Sequence, residues 1–201
     1  MKSHETEEKI LEAATEVFQT KGLDGARMQE IAEKASINKA MLHYYYRGKE
    51  KLFQAVFNRT IQMIVPQMVE IISSDEPLFD KIRKFTDNYI SFIMEHPYIP
   101  LFIINELEKH PEIINEVINT NIEGEVRDKL KKQILEMAKK GEIKPINPEQ
   151  LFLNMLSMSI FPIMAQTSLM AILQKDKDQY QKLLEERKKF IADFTIAAIK
   201  K

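Results

Sequence analysis

The chain has 201 residues, 44% hydrophobic and 29% charged, with five glycines, eight prolines and no cysteine. That balance excludes a disordered or collagen-like chain and leaves too few turn residues for a many-stranded sandwich; without cysteine there are no disulfides, thiolate nucleophiles or thiolate metal sites. The net charge of −1 hides a local excess: residues 27 to 60 carry seven Lys or Arg against three Asp or Glu, and residues 1 to 26 carry three against six.

Acids run through the first apolar turns, unlike a secretory or transit peptide, so cytoplasmic residence is expected. Ile10, Ala13, Ala14, Val17 and Phe18 recur at intervals of three and four, which predicts a helix over 5–20 ended by Gly22. Ile31, Ala32 and Ala35 predict a second, short helix over 29–35. Ser36, Ile37 and Asn38 form a turn, with Asn38 placed to cap a third helix that runs to about Tyr46. Arg47 and Gly48 break it, and Lys49 opens a fourth helix with Leu52, Phe53, Val56, Ile61 and Val65 on its apolar side and a kink at Pro66. Helical spacing continues over 78–94, 97–107, 111–140, 148–174 and 178–200, with no strand pattern or internal repeat. The expected fold class is all-α.

The third helix carries the functional signal. With Leu42 at zero and 100° per residue, Tyr46 falls at about 40° and Tyr45 at about 300°, on the inward side, while Lys39, Ala40, His43, Tyr44 and Arg47 fall between about 60° and 200°. From Lys34 to Lys49 there are four cations and no acid. A solvated basic face is the ordinary reading of such a run, but interleaved tyrosines suit a phosphate surface better. Two short helices joined by a tight turn, the second with this face, form a helix-turn-helix whose last helix enters the major groove.

Residues 7 to 57, centred on IAEKASINKAMLHYYYRGKEKLF, resemble the N-terminal domain of the TetR family of transcriptional regulators. Ile31-Ala32, Ser36-Ile37-Asn38, Ala40, Tyr44 to Tyr46 and Lys49-Glu50 occupy the places of that family's pattern. Three residues depart from it: Arg27 where a capping Thr is usual, Ser36 where the turn usually has Gly, and His43 where the first aromatic is usually Tyr. The resemblance implies DNA contacts by Arg27, Asn38, Lys39, Ala40, Met41, His43, Tyr44 and Tyr45, and a phosphate contact by Lys49 at the start of the fourth helix. It implies a helix-turn-helix domain over 1–48 and a helical effector-binding and dimerisation domain over 49–201. Leu42 and Tyr46 read as supports that hold the third helix on the first.

The C-terminal part has no motif of its own. Between Glu149 and Lys175 lie 25 uncharged residues, long enough for a membrane span, but polar side chains interrupt them and Pro162 kinks them, which favours a buried helix. The last helix places Tyr180, Leu183, Leu184, Ile191, Phe194 and Ala198 along one side, and Phe190, Ile196 and Ile199 widen the stripe beyond what one neighbour covers; the surplus predicts a homodimer. The Met and Phe residues of 152–170 read as ordinary core or as the wall of an apolar ligand cavity. The candidate lining is Phe102, Phe152, Met155, Met158 and Phe161. His96 and His110 sit at helix ends without the i, i+4 spacing of a helical zinc site, and no metal or cofactor is expected. No nucleophile elbow or phosphate-cradling glycine loop occurs, so the chain does not read as an enzyme. The expectation is a repressor on a palindromic DNA operator, released by a small-molecule effector. The alternative is a helical interaction or scaffold protein that does not bind DNA.

Overall fold

A computed structural model describes residues 2–97, 99–109 and 124–201, and among them every element is a helix apart from one isolated antiparallel bridge between Ile143 and Lys200. The fold class is all-α. Contacts divide the chain into two units, Met1–Met63 with Leu101–Val117, and Ile64–Pro100 with Ile118–Lys201. The part of the predicted helix over 111–140 that precedes Gly124, and His110, lie outside the described residues.

The first unit begins with α1 (Lys2–Gly25), α2 (Met28–Lys34) and α3 (Lys39–Tyr45), and takes in the first part of α4 (Lys49–Ser73), which passes through Pro66. Gly22 leaves helical geometry inside α1, at φ 65° and ψ −179°, where a side chain is strained. The predicted apolar stripe of α1, Ile10, Ala13, Ala14, Val17 and Phe18, is buried with Ile31, Ala32, Leu42, Leu52, Phe53, Val56 and Phe57. Phe18 meets Phe53 edge to face at 5.1 Å, a contact that adds to the burial of both rings. Phe102, on α6 (Ile99–Lys109), belongs to the same aromatic cluster, 5.6 Å from Phe53 and 6.1 Å from Phe57.

The second unit contains α5 (Leu78–Glu95), α7 (Gly124–Lys140), α8 (Pro148–Met164), α9 (Gln166–Ile172) and α10 (Lys177–Ile199). Helix α5 buries Leu78, Ile82, Phe85, Tyr89, Ile90 and Ile93 at helical spacing. Helix α10 opens on a capping box from Asp176 and Gln179 and packs on α5 and α8. Its buried stripe is Tyr180, Leu184, Ile191, Ala192, Thr195, Ile196 and Ile199. Ile196 and Ile199 are therefore core, not surplus, while Phe194, expected inside, is 56% exposed beside Phe190 at 62%. Two neighbours cover one arc of α10, and these two phenylalanines lie on the other. They stack at 6.2 Å with 15° between ring planes.

The predicted helix over 148–174 is two helices, α8 and α9, bent by 79°. The break falls at Ala165, a turn beyond the expected kink. Pro162 has no N–H, so the Met158 carbonyl loses its intrahelical donor. Arg187 on α10 replaces it, donating from Nε at 3.1 Å and Nη2 at 3.0 Å. The Pro162 carbonyl accepts from the Tyr180 hydroxyl at 2.8 Å. No single helix among the described residues is long and apolar enough to cross a membrane; α8 and α9 meet the length and composition criteria only as a bent pair.

Side chains also hold the C-terminal end of α4, whose last carbonyls lack helical partners. Lys81 Nζ donates to the Ile72 carbonyl at 2.9 Å, and Lys129 Nζ donates to that of Ser73 at 2.5 Å and pairs with Asp75 at 2.7 Å. Lys81 is only 4% exposed. Burial pushes its pKa down; Lys129 acts in the same direction, and Asp75 and Glu76 oppose it. Sequence reading passed over this residue, although it lies in register with Leu78, Ile82 and Phe85.

Candidate nucleic-acid interface

Helix α2 ends in a Schellman motif. Ser36 N–H donates to the Glu33 carbonyl at 3.0 Å, and Ile37 N–H to that of Ala32 at 2.9 Å. The motif requires a left-handed residue between them, and Ser36 takes that place with φ 56°. Asn38 follows in extended geometry, and its Oδ1 accepts from the Met41 backbone N–H at 2.7 Å, capping α3 as expected. Arg27 stands at the N-cap of α2 and makes no side-chain cap bond there. Turn and cap together set the direction in which α3 leaves α2.

Leu42 anchors α3 in the core with no exposed surface. Tyr46, the extended C-cap of α3, donates its hydroxyl to Glu7 Oε1 on α1 at 3.1 Å. Burial and the Glu7 carboxylate both push the Tyr46 pKa up, so the hydroxyl stays a donor. Because α3 stops at Tyr45, Arg47 does not continue its outward face, contrary to the angular reading.

The outward face holds Lys39, Ala40, Met41, His43 and Tyr44, all exposed. Tyr44 stands 85% exposed and packs edge to face on half-buried Tyr45 at 5.7 Å. Among the described residues, Arg27, Lys39 and Arg47 meet no acid. Lys34, the first cation of the acid-free run, is paired with Glu16 on α1 at 2.6 Å, so it is not part of an open basic surface. Lys21 and Glu30 make a second bridge between α1 and α2, also at 2.6 Å. Half-buried Lys49 directs its Nζ to the Asp24 carbonyl at 3.3 Å. Residues 38 to 45 thus stand together, with Arg27 and Lys49 at neighbouring helix starts. Sequence reading missed Glu7 and Glu16 as supports, and the acidic register of α1 was their only signal.

The suggested ligand-pocket residues fall in different surroundings. Phe102 belongs to the first unit. Phe152 and Met155 line an apolar cavity of about 40 Å³ in the second, with Ile82, Phe85, Ile134 and Leu151. Phe161 is 61% exposed and Met158 half-buried, and neither lines that cavity.

Two short helices, a left-handed turn and an exposed face that is cationic and aromatic define a helix-turn-helix DNA-binding protein. Residues 10–56 match the family model described as bacterial regulatory proteins, tetR family. The uncharacterized HTH-type transcriptional regulator YhgD of Bacillus subtilis is 25% identical over 151 residues, covering 75% of this chain and 78% of that one. The biofilm operon icaADBC HTH-type negative transcriptional regulator IcaR of Staphylococcus epidermidis is 26% identical over 116 residues, 58% of this chain and 60% of its own. Among solved structures, the transcriptional regulator FadR from Bacillus subtilis in complex with stearoyl-CoA has a TM-score of 0.64 and 17% identity, covering 94% of this chain and 97% of its own. Residues 10–56 therefore form a DNA-binding domain of the tetR type, and the curated proteins that the chain resembles are HTH-type regulators of transcription.

Proposed function

We propose that the protein is a cytoplasmic, homodimeric repressor that grips a palindromic operator with two copies of α3, about 34 to 36 Å apart or a multiple of that distance. Residues 1–48 bind DNA, and residues 49–201 bind an effector and form the dimer. The carrying observation is the outward face of α3, free of acids and held in one direction by the Schellman turn and the Asn38 cap. Lys39, Ala40, Met41, His43 and Tyr44 face base edges and phosphates, with Arg27, Tyr45 and Lys49 at the flanks. Asn38 turns its Nδ2 hydrogens outward, while its oxygen is drawn to the Met41 N–H by the cap.

Release follows when a small molecule favours a dimer whose recognition helices have the wrong separation. By linkage, DNA must then weaken effector binding by the same factor. The FadR neighbour, solved with stearoyl-CoA, supports an effector of apolar character, and the cavity beside Phe152 and Met155 is where one would begin to open the core. The name of IcaR, a negative regulator, supports repression.

The test is a footprint of the full chain on the DNA upstream of its own gene, repeated with a metabolite library. Protection of a palindrome, lost with one metabolite, is expected. Binding should also weaken steeply with salt, and Lys49→Ala should flatten that slope by about one unit. No salt-dependent association with any duplex would favour the scaffold alternative.

A further inference from the structure

Resting on that reading of α3 as the DNA-contacting helix, we propose that it discriminates bases in part through the 5-methyl groups of thymines, read by Ala40 and Met41. Reading adenine in the major groove takes an amide that offers an acceptor and a donor together, and reading guanine bidentately takes Arg or Lys. Asn38 is the amide nearest the helix start, and its Oδ1 is committed to the Met41 N–H at 2.7 Å. No Arg or Gln lies within Lys39–Tyr45, and Arg47 lies beyond the helix end. What remains is Lys39, which can read a guanine, His43 and Tyr44, neither of them an amide, and two apolar side chains.

Those two are placed for contact. Ala40 lies nearly opposite buried Leu42, at the centre of the outward face, and its short side chain lets the helix approach the groove floor closely. Met41 flanks it in the same first turn and is 43% exposed. Side chains near the start of a recognition helix meet base edges. The thymine methyl is the apolar feature of the major groove, and Ala is among the residues that contact it. A flexible thioether adapts to such a contact and buries apolar surface that otherwise faces water.

The experiment selects duplexes from a randomised library with the full chain, then replaces each protected dT by dU, which removes the methyl and leaves the base pair. At one or more positions per half-site, replacement in both half-sites should weaken binding about 15-fold, or about fourfold per methyl. Met41→Ala and Ala40→Ser should each keep the helical circular dichroism and the nonspecific affinity, while at least one reduces the preference for dT over dU at such a position. A selected duplex bound equally well with dU throughout overturns the inference. So does a preference that both variants retain in full, since the methyl would then act through duplex stiffness. A chain that enriches no duplex overturns the DNA-binding reading itself, a result distinct from either.

Discussion

Asn38 has two roles that substitution separates. Asn38→Ala removes the cap and should cost about 1 kcal/mol of stability in urea unfolding. Asn38→Asp keeps the cap but sets a carboxylate on the DNA side, so stability should hold while affinity for any duplex falls. Ser36, at φ 56°, bears the strain of a left-handed residue, and Ser36→Gly should raise the melting midpoint by the equivalent of about 0.5 to 1 kcal/mol. Both roles were legible in the sequence, because caps and turns are set by residues within four positions of each other. The supports of the site were not. Glu16 neutralises Lys34, and Glu7 holds Tyr46 from 39 residues away, contacts that local spacing does not reveal.

The α8–α10 contact makes proline a tolerable residue inside a helix. Arg187→Met should leave the half-buried Met158 carbonyl without a donor and cost about 1 kcal/mol. In a Pro162→Ala background the backbone N–H returns and the cost should shrink. Equal costs in the two backgrounds would reject the pairing. Lys81, at the end of α4, gives a pH signature. Its pKa is lowered on folding, so the unfolded chain holds the proton up to about 10.4 after the folded chain has released it. Stability therefore rises with pH across that window, and below it the cost of burying the ammonium is carried in full. Tyr46, Tyr89 and Tyr180 have raised pKa values and act in the opposite sense above about 10. Lys81→Met should remove the rise seen by urea unfolding as the pH nears about 10 from below. Periodicity found each of these helices and Pro162 signalled a bend, but its place at Ala165 and its size were illegible, because a run without charges reads much the same straight or broken.

Across the whole molecule, the surplus apolar surface expected of the last helix is present, on Phe190 as expected but on Phe194 in place of Ile196 and Ile199. Phe190 and Phe194 are exposed on α10, and Leu153, Phe161 and Met164 on α8. Which arc of a broadly apolar helix faces inward depends on its neighbours in space, and the spacing along α10 did not reveal two of them. If the proposed dimer is sealed by this face, Phe190→Glu should yield a monomer in sedimentation and, with one recognition helix lost per complex, weaken operator binding by at least 100-fold; a variant that still dimerises would place the interface elsewhere. The Arg187 and Tyr180 bonds bear on that face. Their acceptors lie one turn apart on α8 and their donors two turns apart on α10, so sliding one helix along the other would strand both carbonyls at once. The phenylalanines consequently ride on a layer that resists shear, and its amide protons should exchange with deuterium together, in one slow class.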